Sequence, residues 1–256
     1  MTLPDRLDAL KRDPALANLS RSLAVYYGDA EREAAMDALY ARFVQPGDLA
    51  FDIGSHVGDR IGAFRRLGAR VLALEPQPLC AHAIRTLYAG DTGVTLVESA
   101  CGPTAGRISL HINSANPTVT TASRDFVKAA DGAGGWEGQT WDREIEVPVT
   151  TLDALIAEHG TPAFIKIDVE GFEADVLAGL SQRPRALSFE FTTIQRDVAY
   201  ACLERIAALG DYGFDVALGE SQELVLGRWV TAEDMRHHIA ALPHEANSGD
   251  VYAVWR

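Results

Sequence analysis

The strongest constraint on how this chain can fold is a repeated alternation of short apolar runs with helix-period stretches, beginning at residue 49. Leu49–Ile53 reads as a strand. Val57, Ile61, Phe64 and Leu67 then fall on one helical face, and Gly68 stops that helix. Residues 70–75 form a second strand, Leu79, Ala83 and Leu87 mark a second helix, and 94–98 is a third strand. Strands joined through helices run parallel with right-handed crossovers, and such a sheet is covered on both faces. The second half resumes the pattern with a helix over Leu152–His159 capped by Thr150 or Thr151, a strand at 163–168, a helix at 172–180 and a strand at 186–191. A helix at 197–209 closed by Gly210, strands at 214–218 and 223–227, a helix at Ala232–Ala241 and a strand at 251–255 complete it.

The flanking pieces break this rhythm. Residues 1–45 read as a helical extension in which Ala35, Leu39 and Phe43 make one apolar stripe, expected to pack on a main domain of residues 46–256. Pro46-Gly47-Asp48 is the turn between them. In the middle, strands at 107–112 and 145–149 are expected to lie near each other. They enclose a loop of residues 113–144 that carries Trp136, Trp141 and the run Asp131-Gly132-Ala133-Gly134-Gly135. A loop of that length in a compact domain is functional or disordered.

Charge narrows the partners. The formal net charge of −13 repels phosphate backbones and anionic bilayers, so neither a nucleic acid nor a membrane is expected as a partner. Cys80, Cys101 and Cys202 form no paired motif, which argues against a disulfide framework or a zinc site and for a reducing, cytoplasmic compartment. Residues 1–14 are charged and lack the apolar core of a signal peptide, and no apolar run is long enough for a bilayer span.

In an open parallel sheet, ligands bind beyond the carboxyl ends of the strands, where the strand order reverses. The first strand ends there in Asp52-Ile53-Gly54-Ser55-His56-Val57-Gly58. The glycines let the backbone turn tightly against a ligand, and the following helix offers free N–H groups to a carboxylate or phosphate. The spacing is DxGxxxG and not the dinucleotide GxGxxG. An acid at the first position suits an ammonium better than a pyrophosphate, which points to a zwitterionic amino-acid moiety. The competing reading is a tight turn that holds nothing. Glu75, followed by Pro76, ends the second strand about 20 residues on, where an acid accepts hydrogen bonds from ribose hydroxyls. Glu98, Ser99 and Ala100, after the third strand, would lie on the adenine side.

The third signal is the run from Phe164 through Glu173, FIKIDVEGFE. Lys166 and Asp168 share one strand face because side chains repeat every two residues. A lysine in a buried strand needs a partner, so the pair is either a structural ion pair or part of a reactive rim. Glu190, ending the next strand, is a second acid on that rim.

With these stretches in view, the chain resembles the FkbM family of S-adenosylmethionine-dependent methyltransferases. The resemblance rests on residues 47–58, on Val71-Leu72-Ala73-Leu74-Glu75-Pro76-Gln77-Pro78, on Val147-Pro148-Val149-Thr150-Thr151-Leu152-Asp153, and on Ile165 through Glu173, in that order over about residues 47–191. It implies a Rossmann-like class I α/β fold, doubly wound, with a mostly parallel seven-stranded sheet whose last strand is antiparallel. It implies donor binding by Asp52, Gly54, Gly58 and Glu75. It also implies an O-methyltransferase acting on hydroxyls of secondary metabolites, sugars or glycans. Tyr88-Ala89-Gly90 stands where the family often has Asn, and Ser55-His56 replaces the more usual Ala-Asn.

The expected cofactor is S-adenosylmethionine, held by Asp52, Gly54, Ser55, His56, Gly58, Glu75, Pro76, Glu98, Ser99 and Ala100. The expected catalytic residues are Asp168, Lys166 and Glu190, with His56 as an outsider. Asp168 and Glu190 are also the acids that would hold a divalent metal, although the reading favours a metal-free site. The partner is a small-molecule or glycan acceptor, and a homo-oligomer is compatible with the sequence. Two competing readings are a nicotinamide-dependent oxidoreductase, opposed by Asp52 and the missing GxGxxG, and a module that binds the donor without turnover. A third is a metal-dependent catechol-type methyltransferase. His237, His238 and His244 belong to a solvated helix on this reading, since adjacent histidines point to different helix faces.

Overall fold

The computed structural model describes residues 2–256; Met1, at the head of the N-terminal segment, lies outside the described residues. The chain opens with α1 (Leu3–Arg12), a 3₁₀ turn at Pro14–Leu19, α2 (Ser20–Tyr26) and α3 (Ala30–Tyr40). Thr2 and Asp5 close a reciprocal capping box on α1, which satisfies backbone donors that the first turn leaves free. The alternation follows as β1 (Leu49–Ile53), α4 (Asp59–Arg66), β2 (Arg70–Leu74), α5 (Pro78–Leu87) and β3 (Val94–Val97). After the middle segment come α7 (Leu152–His159), β7 (Phe164–Ile167), α8 (Glu173–Ala178), β8 (Ala186–Thr192), α9 (Arg196–Leu209), β9 (Tyr212–Leu218), α10 (Ala232–Ala241) and β10 (Ser248–Trp255). Of the two expected caps on α7, Thr151 is the one whose side chain accepts from Ala154 N.

The seven-stranded sheet has the order β3-β2-β1-β7-β8-β10-β9. β10 runs antiparallel to both neighbours, and the pairs from β3 through β8 are parallel. This is the doubly wound sheet with an antiparallel last strand that the resemblance implies. Strand order reverses between β1 and β7, so the site-bearing loops after Ile53 and Ile167 lie side by side.

Alternation along each strand gives the two faces different characters. Phe51, Ile53, Ile165, Ile167, Leu187, Phe189, Val216 and Val251 point to a wholly apolar face covered by α7 to α10. The other face carries Ala50, Val71, Ala73 and Phe164 beneath α3, α4 and α5. The N-terminal piece packs on this second face: Phe43 stacks on Phe164 at 5.1 Å and on Tyr252 at 5.5 Å between ring centroids. The stripe through Leu39 and Phe43 is thus buried against the sheet, as expected, with Ala35 at its margin.

Two parts differ from expectation. The middle segment folds as β4 (Ala100–Cys101), β5 (Gly106–Ile112), α6 (Arg124–Ala130) and β6 (Arg143–Thr150). β5 and β6 pair antiparallel, as expected, within a small sheet of order β4-β6-β5. Helix α6 escaped the sequence reading because seven residues make barely two turns, too few for a periodic signal; its Ser123 cap, accepting from Phe126 N, is the cue that was there. Residues 223–227 are not a strand. Val225 N does bond Val216 O at 2.8 Å, but Leu226 N turns instead to the buried carboxylate of Asp215 at 3.0 Å, which ends the pairing after one rung.

Candidate functional site

The loop after β1 is built by backbone bonds that draw it onto β2. Gly54 N and Ser55 N both donate to Leu74 O at 3.0 Å, and Ser55 Oγ donates to Asp52 O at 2.8 Å. Gly54 has φ +85°, and its Cα faces the Asp168 carbonyl so closely that no side chain fits. Gly58 also has φ +85° and caps α4, with the Tyr88 ring packed where a Cβ would lie. Tyr88, the departure from the family pattern, also donates its hydroxyl to Gly58 O at 2.6 Å. From the N-terminal piece, Tyr27 donates to Val57 O at 2.8 Å. The loop is therefore braced from two sides by tyrosines whose role local sequence does not signal.

Beyond these loops opens a cleft of about 1010 Å³, its open mouth included. Asp52, Gly54, Ser55, His56, Glu75, Pro76, Ser99 and Ala100 line it, together with Lys166, Asp168 and Glu190. Two expected residues are not brought there. Gly58 shapes the loop from behind. Glu98 lies just past the end of β3, half exposed, and pairs with Arg85 of α5, so its side chain turns away from the cleft while Ser99 and Ala100 turn in. Glu98 was expected on the cofactor's adenine side; it is not among the residues that line the cleft.

Electrostatics differ sharply along the cleft. Asp52 is buried, its Oδ2 has no hydrogen-bond partner, and burial pushes its carboxyl up to about 7. Glu75 accepts from His56 N at 2.8 Å and Gln77 N at 2.7 Å, one bond on each oxygen. Burial outweighs those donors and lifts the Glu75 carboxyl to about 8. His56 has φ +48° and is held down to about 4 by burial, so the ring is neutral. Its Nε2 lies 3.4 Å from Thr118 Oγ1 in the middle segment, which roofs the cleft, and Gln77 Nε2 donates to Thr120 Oγ1 at 2.6 Å.

Glu75 yields a test by pH. Its folded value lies above its ordinary value of 4.5, so its contribution to stability is full below about pH 4.5 and is lost as pH rises through about 8. Thermal melts of the wild type and Glu75→Gln are expected to diverge, with the wild type losing stability relative to the variant between about pH 5 and pH 9. Parallel curves would show that the carboxyl is not perturbed.

On the opposite rim, register places polar side chains in two rows on one sheet face. Asp52, Lys166, Ser188 and Tyr252 lie opposite one another across β1, β7, β8 and β10. One pleat further on, Glu190 faces Asp250, and Asp168 follows β7. Lys166 is fully buried and donates to Asp168 Oδ2 at 3.0 Å and to Asp250 Oδ1 at 2.6 Å. The Lys166–Asp168 pair was legible; Asp250 was not. One ammonium serves two carboxylates unequally. Burial pushes Asp168 up, but Lys166 and then Arg60 pull it below the ordinary range. Burial leaves Asp250 above it despite Lys166. Lys166, which burial would lower, is held well above its ordinary range by Asp168 and Asp250. Glu190 and the unforeseen Glu170 are both pushed well up by burial and by the neighbouring Asp168.

Tyr26, Asp59, Arg60 and Glu220 also line the cleft and were missed. Tyr26 of α2 sits edge-on to His56 at 5.9 Å, and Arg60 of α4 bonds Asp59 Oδ2 at 2.6 Å. Arg32 of α3 joins Asp59 and Glu220, each at 2.9 Å, tying the N-terminal helices to the turn after β9 at the mouth. The tryptophans stay out of the cleft. Trp136 packs on Phe126 and donates to Asn247 Oδ1 at 3.1 Å, and Trp141 donates to Val119 O at 2.8 Å, so the insertion uses them as its own core. His237 is exposed on α10, and His244 lies beyond that helix, near Gly134 O at 3.1 Å. Among the described residues, no helix is long and apolar enough to cross a membrane.

Several known proteins are similar to this chain. A TehB-like S-adenosylmethionine-dependent methyltransferase from Corynebacterium glutamicum superposes over 94% of this chain and 96% of its own, with TM-score 0.48 and 11% identity. An O-methyltransferase from Bacillus cereus, solved in complex with SAH, covers 98% of this chain and 91% of its own, with TM-score 0.47 and 12% identity. Likenesses that low carry no weight beyond their report. A sequence relative carries more: the 31-O-demethyl-FK506 methyltransferase FkbM of Streptomyces tacrolimicus is 30% identical over 237 residues, which is 82% of this chain and 87% of that protein. The family model of the methyltransferase FkbM domain matches residues 52–216, from Asp52 in β1 to the middle of β9. On that match and that relative, the chain belongs to the FkbM methyltransferase family.

Proposed function

We propose that this protein methylates a hydroxyl group of a small molecule, sugar or glycan, with S-adenosylmethionine as donor. The observation that carries the reading is the pairing of Asp52 and Glu75 at neighbouring strand ends in one cleft. Asp52 offers a buried carboxylate oxygen with no protein partner, which fits the ammonium of an amino-acid tail. Each Glu75 oxygen is anchored by one backbone N–H and keeps acceptor capacity for a ribose hydroxyl. Ser55, His56, Pro76, Ser99 and Ala100 complete the walls, and Gly54 keeps the loop against β7. When bound, the donor supplies an already activated methyl group, so the protein's work is alignment and exclusion of water.

The remaining task is the acceptor's proton. Asp168 is the carboxylate kept ionised, by Lys166, and accepts the hydroxyl hydrogen as the new carbon–oxygen bond forms. Glu190, pushed up by burial and by Asp168, lies on the same rim. The name of the Streptomyces relative, whose substrate is a 31-O-demethyl compound, supports a hydroxyl acceptor. Residues 1–45 act as a cover for the methyl-transfer domain of residues 46–256, and the three free thiols favour a cytoplasmic setting.

Calorimetric titration with S-adenosylmethionine, its demethylated product and NAD is expected to show binding of the first two only; tight binding of NAD alone overturns the reading. Asp168→Ala should keep affinity for the demethylated product and lose about 10²–10⁴-fold in turnover on a panel of hydroxylated acceptors. Intact turnover removes Asp168 from the chemistry.

A further inference from the structure

Asp168, Glu170 and Glu190 each contribute one carboxylate oxygen to a group in which every oxygen lies within 4.8 Å of the others. All three side chains line the main cleft. We propose that they hold a hard divalent cation, Mg²⁺ or Mn²⁺, beside the acceptor. The ion's task rests on the methyl-transfer reading; its site does not.

Glu170 is the independent pointer to a ligand. It is only 8% exposed, and among the described residues its carboxylate makes no hydrogen bond and no ion pair, although it borders open space in the cleft. Its backbone is fixed by Thr121 Oγ1, which donates to Glu170 O at 2.6 Å, so the carboxylate is presented by a braced loop. Buried carboxylates persist when they are paired, hydrogen-bonded or bound to a metal. The cation nearest the group is Lys166, whose ammonium is already divided between Asp168 and Asp250. Glu170 and Glu190 therefore have no cationic partner of their own.

Donor chemistry selects the ion. Three carboxylates with no histidine or thiolate suit Mg²⁺, Mn²⁺ or Ca²⁺ and not Zn²⁺. An ion centred in a triangle with sides of 4.8 Å would lie about 2.8 Å from each corner, so small side-chain movements bring the oxygens to ligand distance. Three protein oxygens leave about half of an octahedral shell facing the cleft, for water or for the acceptor hydroxyl. A cation there favours loss of the hydroxyl proton, which Asp168, with acceptor capacity beyond the one oxygen it offers the ion, still takes.

The test is electron paramagnetic resonance titration of the full-length protein with Mn²⁺, followed by competition with Mg²⁺. One saturable Mn²⁺ per chain is expected, displaced by Mg²⁺ and weakened roughly tenfold or more by Glu170→Gln and by Glu190→Gln. The exposed Glu158→Gln serves as control and should bind as the wild type does. If Glu170→Gln does not fold, Glu190→Gln carries the test. No saturable binding, or equal affinity in the wild type and both cleft variants, overturns the site. Calorimetry with the demethylated donor product in chelator separates the two readings. Product binding without any Mn²⁺ site sinks only this inference; an Mn²⁺ site without product binding sinks only the proposed function.

Discussion

Replacing Lys166 by methionine is expected to cost about 3–5 kcal/mol of folding stability, the range for removing one partner of a buried ion pair. Methionine fills much of the lysine's volume, so a cavity contributes little. The cost comes from Asp250, only 7% exposed, which would keep its carboxylate in the interior with the 2.6 Å ammonium gone. Asp168, which is more open to the cleft, would rehydrate in part. Turnover should fall as well, because Asp168 would lose the strongest of the influences that hold it below the ordinary carboxylate range, leaving Arg60 to oppose burial. Adding Asp250→Leu to Lys166→Met removes the orphaned charge and should restore much of the stability, while turnover stays low. Urea unfolding of the single and double variants measures both outcomes. A single variant within about 0.5 kcal/mol of the wild type, the scale of an ordinary surface change, would show that the ion pair does not support the fold.

The second large effect is expected at Gly54. A Cβ there would stand 1.8 Å from the Asp168 carbonyl oxygen, and the backbone has φ +85°. The left-handed conformation alone costs a non-glycine residue about 1–3 kcal/mol. The overlap is with backbone, which cannot swing aside, so β1 and β7 must separate where the loop after β1 meets the acid rim. Displacements near 1 Å at a reacting centre cost about 100-fold in rate, and Gly54→Ala should lose at least that. Gly47→Ala is the control. It has φ +88° with no atom within 4 Å of the added carbon, so it carries the conformational cost without the overlap. Comparable urea midpoints for the two variants, with affinity for the demethylated donor product retained in Gly54→Ala, would refute the close-approach argument.

The resemblance and the apolar periodicity agreed because both depend on local order. Strand at Leu49–Ile53, helix over residues 59–66 and strand at Arg70–Leu74 follow from short runs whose spacing is visible within a dozen residues. Errors arose where the deciding contact was remote. Residues 223–227 carry strand-forming residues, yet one buried carboxylate eight residues earlier, Asp215, takes the amide that a strand would have used. The length of the loop carrying Trp136 and Trp141 leaves it open between function and disorder, and Phe126, on a helix too short to announce itself, gathers both rings into a local core. Glu98 sat at a strand end as Glu75 does. The two are in register on adjacent parallel strands, and the difference is a partner: Glu98 pairs with Arg85 of α5, whereas Glu75 takes the amides of His56 and Gln77.

By itself the sequence determined the parallel sheet, the loops that crown it, and the sharing of one face by Lys166 and Asp168, since a period of two is a property of neighbouring residues. Tertiary structure alone decided that Asp250, 84 residues away on an antiparallel strand, would share that lysine. It also decided that Glu170 would face Asp168 and Glu190, and that Tyr26, Tyr27 and Arg32 from the N-terminal helices would brace the mouth and the donor loop. Those pairings depend on strand register and on how distant segments dock, and neither leaves a mark in the local order of residues.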